Sequence, residues 1–501
     1  MMKYITKTDL YIVSRYSGVV MICVGLMCLF PLLIDLIYFE FNYACFIIPG
    51  VFSVILGYIC MKALDKYSNS KMRLKHGMMI SSIAWMWASV IGGVVISLAT
   101  GTDFLNGIFE STSALTGTGI TMFDNVEILP HSILYFRAFE QWVGGLGVVV
   151  MMIGILTRPG TASAKLYQSE AREERLKPSV KTTLKKTIEI YLIYTIIGII
   201  LYLLAGMPAF DSVCTTFCMI ATGGMSIKNA NIGYYHNDLI YLISIALMVL
   251  GATSFLAHYK IIKTKGRSLI QDLQFKTLIC IITFVTIVLY LVSHIVPIDI
   301  LFTVTSAITT TGANVELPLT MAGWPSFVLL SLMILMLIGG SSGSTVGAIK
   351  LFRIITYVKA IYRHIKEILS PDGRIIPIKI SGRRISEKEI GKTGNFITLY
   401  LVIIAIMWLI FCFYGYPPFD SLFSIISLQG NNGLDVGVLN NTLHPVLKAV
   451  SILDMWVGRL EIYPILVLFR VVNNEAEALI LECNLIKKYR PKFNVLLKRE
   501  S

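Results

Sequence analysis

Four segments of the chain place a glycine thirteen residues after an Asn or Asp, with a short apolar stretch between. They read NGIFESTSALTGTGIT from Asn106, DSVCTTFCMIATGGMS from Asp211, DILFTVTSAITTTGAN from Asp299 and DSLFSIISLQGNNGLD from Asp420. The glycines are Gly119, Gly224, Gly312 and Gly433, and Phe109, Phe302 and Phe423 share a register that Cys214 takes in the second segment. Asn and Asp are good helix N-caps, which predicts a helix opening at each first position. The apolar stretch is too short to span a bilayer and fits a half-helix that enters and stops. Backbone leaving such a helix at membrane depth is tolerated only where protein or a watery cavity covers it. The chemistry this allows is ion coordination. Backbone carbonyls from four converging loops can replace the water shell of a monovalent cation without a formal negative charge. Glycine reaches backbone angles other residues avoid, and the C-terminal ends of the half-helices carry partial negative charge. The expected ligand-bearing residues are Gly117, Thr118 and Gly119; Thr222, Gly223 and Gly224; Thr310, Thr311 and Gly312; and Asn431, Asn432 and Gly433. The glycines carry no ring of carboxylates beside them, as a divalent-cation filter would; Glu110 is a single carboxylate in one half-helix. One glycine in a loop is usually a turn; four in one register, each behind a short helix, are not accounted for by coincidence.

Two further features sit in apolar sequence. Gly339, Gly340, Ser341, Ser342, Gly343, Ser344, Thr345, Val346 and Gly347 interrupt an apolar stretch. Glycine raises the cost of helix and serine competes for backbone bonds, so the run breaks the helix. It reads as a flexible plug below the glycine loops, or as a kink whose small residues permit close packing. Arg459 lies inside the last apolar stretch beside Glu461. A charge at membrane depth is a functional candidate by default; the alternative is a structural ion pair with Glu461 or another buried carboxylate. Arg137 and Glu140, at the start of another helix, read as structural.

The elements that carry these residues are membrane spans. Of 501 residues, 55% are hydrophobic and 15% charged, and the mean hydropathy is +0.72. A soluble domain carries about a quarter charged residues. Ten stretches have spanning length: 17–39, 44–62, 77–99, 132–156, 187–206, 237–258, 274–294, 325–345, 395–414 and 447–469. The first runs directly into the second, which does not resemble a cleavable leader. The net charge of +13 is concentrated in 62–75, 158–186, 260–276 and 350–392. The alternate segments 40–43, 101–131, 207–237, 295–324 and 415–446 hold a single Lys or Arg, Lys228. That alternation is the positive-inside pattern, which puts both termini in the cytoplasm. It accounts for the charge without nucleic acid as a partner. The nine cysteines show no metal or disulfide spacing, and Cys214 and Cys218, a helical turn apart, read as packing.

The fold expected is an all-α polytopic membrane protein: four pseudo-symmetric helix–pore loop–helix repeats around one pore, plus two extra N-terminal transmembrane helices. The divisions are 1–70 for the helix pair, 71–181, 182–267, 268–370 and 393–470 for the repeats, 371–392 for a cytoplasmic hairpin linker, and 471–501 for a charged, amphipathic tail. In the linker, 374–380 alternates like a strand, Ser381 and Gly382 make a turn, and 383–385 follows. Ser386 and Glu389 form a capping-box pattern that opens the next helix.

Over roughly 10–470 the sequence resembles the Trk/Ktr/HKT family of potassium transporters. The resemblance rests on ATGGMS from Ala221, TTTGAN from Thr309, FEQWVGGLG from Phe139, IGGSSGSTVGAIK from Ile338 and GRLEIYPILVLF from Gly458. The extra helix pair favours a Trk-type membrane subunit over the shorter Ktr type. The resemblance implies a potassium filter, since Gly in all four positions goes with potassium and Ser in the first with sodium. It also implies an intramembrane gating loop over 339–347, with Val346 where relatives often have Gly, and Arg459 near the ion path. It further implies a homodimer and a cytosolic TrkA-type nucleotide-binding regulatory subunit. The chain has no Walker or dinucleotide motif, so nucleotide would bind the partner. No cofactor is expected on this chain; potassium is substrate and the only metal. Two departures stand out: Gly117 where the third repeat has Thr310, and Gln429-Gly430-Asn431-Asn432 without threonine.

The tail from Asn473 resembles a fragment of the UvrC GIY-YIG nuclease domain, in the helix and KYRPKFNVLLK. The matching upstream strands are absent from the sequence, so no nuclease, and no enzyme, is expected. The competing function is a secondary transporter of another small ion or solute, sodium-permeable or ion-coupled. An organic-solute carrier would carry inverted repeats, whereas these four run in one orientation.

Overall fold

The computed structural model describes residues 7–67, 72–147, 180–264, 272–293, 295–316, 318–371, 376–380 and 383–469. The tail over 471–501, the turn at Ser381 and Gly382, and residues 148–156 of the stretch 132–156 lie outside the described residues.

The chain is helical almost throughout. An N-terminal group comprises α1 (Lys7–Met27), α2 (Leu32–Tyr38) and α3 (Tyr43–Ala63). Then come α4 (Leu74–Thr100), α5 (Phe104–Thr116) and α6 (His131–Leu146). Next are α7 (Val180–Leu204), α8 (Ala209–Ile220), α9 (Asp238–Gly251) and α10 (Phe255–Thr264). They are followed by α11 (Leu273–Ser293), α12 (Pro297–Ile308), α13 (Pro318–Ala322), α14 (Ser326–Ile338) and α15 (Leu351–Ile368). The last are α16 (Glu387–Phe413), α17 (Pro418–Gly430) and α18 (Pro445–Arg459).

Six helices among the described residues are long and apolar enough to cross a membrane. They expose large apolar side chains outward, such as Phe52 and Ile55 on α3, Ile196 and Ile200 on α7, Phe284 and Leu291 on α11, and Leu409 and Phe413 on α16. Apolar side chains facing outward along a whole helix suit lipid as the solvent.

The other four apolar stretches do not become single long helices, contrary to the continuous spans read from hydropathy. Over 237–258 the helix stops at Gly251 and restarts at Phe255. Over 447–469 it stops at Arg459, passes through Glu461 and Ile462 at positive φ, and is helical again over 463–469. Over 325–345 it ends at Ile338, and α6 ends at Leu146. Hydropathy registers apolarity, not continuity of the hydrogen-bond ladder, and only the glycine–serine run announced its break.

The short helices form a cycle. Each packs on the broken helix of the segment before it: α8 on α6, α12 on α9 and α17 on α14, with α5 closing on α18. Their starts also differ from expectation. Asn106, Asp211, Asp299 and Asp420 are not N-caps; each lies in the first turn of a helix that begins two residues earlier. Pro297 and Pro418 open two of the helices and Pro208 precedes a third, because proline is preset for the first turn and its missing N–H is not needed there. Acids just inside still complement the helix dipole.

The hairpin is short: Lys379–Ile380 pairs antiparallel with Arg383–Arg384. Its Ile378, Ile380 and Ile385 form a small separate core against α15 and α16. The expected capping box is present, with the Ser386 hydroxyl accepting from the Glu389 N–H and the Glu389 carboxylate accepting from the Ser386 N–H.

The N-terminal helices pack on each other through glycine. A Cβ on Gly18, Gly25 or Gly57 would lie within 3.0 Å of the facing helix's backbone carbonyl. Gly57→Val must therefore separate α1 from α3, at a cost of about 1–3 kcal/mol by the usual penalty for overpacking. A lowered thermal midpoint of the detergent-solubilised protein is the expected result, and an unchanged midpoint would show that the two helices do not meet as described.

Candidate functional site

After each short helix the chain turns back through the same three backbone states. The first residue, Gly117, Thr222, Thr310 or Asn431, has φ of 75°, 51°, 49° or 50°. The third, Gly119, Gly224, Gly312 or Gly433, has φ of 85°, 68°, 72° or 104°. The middle residue donates its N–H back to the helix over the same span each time: Thr118 to Ser113, Gly223 to Cys218, Thr311 to Ser306 and Asn432 to Ser427, all at 2.9 Å. Left-handed backbone favours Gly and tolerates Asn, which explains Gly117 and Asn431 where threonine is absent. Thr222 and Thr310 are β-branched residues in that region and carry strain.

The four loops meet. A Cβ on Gly119 would fall on the carbonyl oxygen of Gly223, one on Gly224 on that of Thr311, one on Gly312 on that of Asn432, and one on Gly433 on that of Thr118, each well inside 3.0 Å. The cycle runs first to second to third to fourth and back to first. All twelve predicted loop residues thus lie in one ring of abutting strands, and nearly all are buried. Side chains tie the ring laterally: Asn431 Nδ2 donates to Thr118 Oγ1 at 3.1 Å and Asn432 Nδ2 to the Ala307 carbonyl at 2.8 Å. Gln141 donates to the Gly223 carbonyl at 2.7 Å and accepts from the Met225 N–H.

Beneath the ring lies the segment 339–350, non-helical and held on several sides. The Ser341 and Thr345 N–H groups donate to the carbonyls of Ala252 and Gly251, which the break after α9 leaves available. Thr345 Oγ1 is 2.9 Å from Thr222 Oγ1, and the Gly347 N–H donates to Thr310 Oγ1 at 3.0 Å. The hydroxyls of the two strained threonines therefore both contact this segment. A Cβ on Gly347 would strike the Gly430 carbonyl, and Val346 is buried against Gly340. Gly339 and Gly343 have positive φ, as do Ala348 and Lys350. Gly340, Ser342 and Ser344 complete the run; Ser342 N–H donates to Gln274.

Arg459 reaches across. It donates to the Thr345 carbonyl at 2.7 Å and to the Gly144 carbonyl at the end of α6, with Gly145 further off, and its guanidinium lies 5.5 Å from the Trp85 ring centroid. It thereby joins the fourth segment, the loop and the first segment. Glu461 instead pairs with Lys350, at 2.7 Å, and with Arg353, so the alternative of an Arg459–Glu461 pair is not what these contacts describe.

The sequence reading missed one support. Glu110 and Arg137 are both fully buried and pair at 2.6 Å. Glu110 also accepts from the Thr121 hydroxyl and the Met122 N–H, and Arg137 donates to the Ser226 carbonyl. The pair holds the outward strand behind Gly119. The register equivalent of Glu110 in the fourth segment is Ser424, which donates to Asp435 at 2.6 Å. The signal available was that Glu110 and Arg137 are charges in otherwise apolar half-helix and span.

A ring of main-chain loops in an apolar shell, with a non-helical segment packed against one side, is an arrangement that can line a path for an ion. The family comparison agrees. The TrkH family of cation transport proteins matches over 47–296 and 317–478. The chain belongs to the TrkH family. An uncharacterized cation transporter of Methanocaldococcus jannaschii is 36% identical over 93% of this chain and 96% of its own length. The Trk system potassium uptake protein TrkG of Escherichia coli is 29% identical, covering 91% and 97%. The crystal structure of the potassium transporter TrkH from Vibrio parahaemolyticus superposes with a TM-score of 0.81 at 26% identity, covering 92% of this chain and 98% of that one. TrkH-family chains are membrane-spanning cation transporters, not enzymes. Residues 465–495 separately match the UvrC-like GIY-YIG domain, as the tail's sequence indicated.

Glu110→Gln would leave the Arg137 guanidinium buried without its carboxylate. Breaking such a pair costs about 3–5 kcal/mol. Thermal unfolding should show a large loss, part of it recovered in Glu110→Gln/Arg137→Met; no loss in the single variant would contradict the buried pair.

Proposed function

We infer that this TrkH-family chain takes potassium into the cell, choosing it at the ring of Gly119, Gly224, Gly312 and Gly433. The observation that carries the reading is the closed cycle of glycine-to-carbonyl contacts. Four abutting strands of main chain offer a dehydrated ion neutral oxygens from all sides. Thr118, Gly223, Thr311 and Asn432, one residue before the glycines, and Gly117, Thr222, Thr310 and Asn431 before them, complete the filter. The ends of four short helices lead into it with their partial negative charge. Potassium is supported by glycine at all four positions and by relatives named for potassium uptake.

The segment 339–347 is the gate and Arg459 its latch. The latch reading rests on one guanidinium donating to the loop and to a neighbouring segment at once. The alternation of basic and non-basic segments supports cytoplasmic termini and a hairpin inside the cell. There its exposed Arg383 and Arg384 give a TrkA-type cytosolic regulator something to hold. The chain acts as a homodimer in the cell membrane.

Gly119→Ser both adds a Cβ where a carbonyl lies and keeps a positive φ that serine resists. The potassium-over-sodium preference in flux assays should fall roughly tenfold or more, since the ligand cage no longer closes at one size; an unchanged preference would remove the filter assignment. Arg459→Gln should raise potassium flux measured without any partner protein by several-fold, because the loop loses its tie to α6. Flux at the unmodified level would mean that Arg459 does not hold the loop.

A further inference from the structure

Below the loop, on the side of the hairpin, the described residues enclose a cavity of about 540 Å³. It opens between the start of α4, the first turns of α15 and α16, the hairpin and the break at 460–464. That is a volume suited to a small ligand. Its lining is basic: Lys350, Arg353, Arg383 and Lys392 against Glu389 and Glu461. The two deeper cations pair with Glu461 and the Arg383 side chain pairs with Glu389. The lining therefore carries four cationic side chains against two carboxylates. A mouth that passes cations gains nothing from such a surplus, whereas an anion does.

We propose that this cavity is a binding site for a phosphate-bearing anion. Two guanidiniums and two ammoniums around one cavity supply the charge-assisted donors that a phosphate takes. Arg353 is pre-positioned, with its guanidinium carbon 4.1 Å from the Phe396 ring centroid. Arg383 and Lys392 stand exposed at the rim, and Arg383, paired with Glu389, would have to exchange that carboxylate for a group as it enters. The buried Ile385, Phe396 and Leu460 give the same cavity an apolar wall, so the phosphate could belong to a lipid headgroup of the inner leaflet or to a soluble phosphoester. Ser342 and Gly343 line the cavity, so its occupant touches the loop directly. Occupancy competes with Glu461 for Lys350 and Arg353, whose main chain begins the helix that follows the loop. The inference does not rest on the filter reading, because binding is measured without conduction.

The test uses the full chain in phosphatidylcholine nanodiscs. In one arm phosphatidylglycerol replaces part of the lipid, and native mass spectrometry counts what the protein retains. In the other, pyrophosphate is titrated and the thermal midpoint is followed. Retention of phosphatidylglycerol identifies a lipid source, and a rising midpoint with pyrophosphate a soluble one. In either case R383Q/K392Q should weaken binding about tenfold, as expected for loss of two charge-assisted donors. K359Q/K366Q, on α15 away from the cavity lining, should leave it unchanged. No binding in either arm, or equal weakening by both double variants, would overturn the proposal.

Discussion

Four glycines, one in each loop of the ring, have no room for a side chain, and the loops are arranged around that fact. Gly119, Gly224, Gly312 and Gly433 each lie against the carbonyl of the next strand in the cycle, so closely that a single methyl group would wedge the strands apart. The constraint is mutual: no strand can move outward without the next losing its neighbour. The conformation that permits it is expensive elsewhere, since a left-handed residue stands at both ends of each three-residue turn. The same helix-return hydrogen bond, at one length in all four loops, fixes where each turn begins. The short helices, the cycle of helix packing around them and the buried Glu110–Arg137 pair all serve to hold four irregular strands at a depth where unsatisfied backbone would cost several kcal/mol per group.

The ring and the segment beneath it are not independent. Thr222 and Thr310, the two ring residues whose side chains fit their backbone worst, are the two whose hydroxyls contact Thr345 and Gly347. A glycine in either place would relieve the strain and lose the contact. The strain and the contact together tie the backbone of the ring to the segment packed against it. The carbonyls of Gly251 and Ala252, freed by the break after α9, are the other anchors. The gap in a neighbouring helix thus supplies the acceptors that the segment's own N–H groups need.

Much of this was legible in the sequence, and the parts that were not have physical causes. The glycine register, the short helices, the glycine–serine interruption, the capping box at Ser386 and the long apolar helices follow from local rules of backbone freedom, hydropathy and capping. The breaks after Gly251 and Arg459 do not, because each is stabilised by distant partners: the loop for one, the Gly144 carbonyl and the loop for the other. Asp211, Asp299 and Asp420 were read as caps because acids and caps share a preference for helix starts, and the prolines just ahead of them decided the boundary. Arg137 reads as structural at the start of its helix, but its partner does not, since nothing local to it reveals Glu110 twenty-seven positions earlier. Pairing across segments is a tertiary fact that a single sequence does not spell out.

The four loops agree in backbone and differ in what braces them. Position by position, the brace behind the ring is a carboxylate on the helix in the first segment, Glu110 reaching Thr121, and a carboxylate on the strand in the fourth, Asp435 receiving Ser424. An assembly of four identical chains would have to repeat one solution, including any charge it buries, four times around one axis. Four unequal segments in one chain can bury the Glu110–Arg137 pair once. The same inequality allows a single interruption of twelve residues, 339–350, to sit below the ring. Four copies of it would compete for the space that one fills. Fusing the segments therefore secures a symmetric ring of main chain together with an asymmetric support.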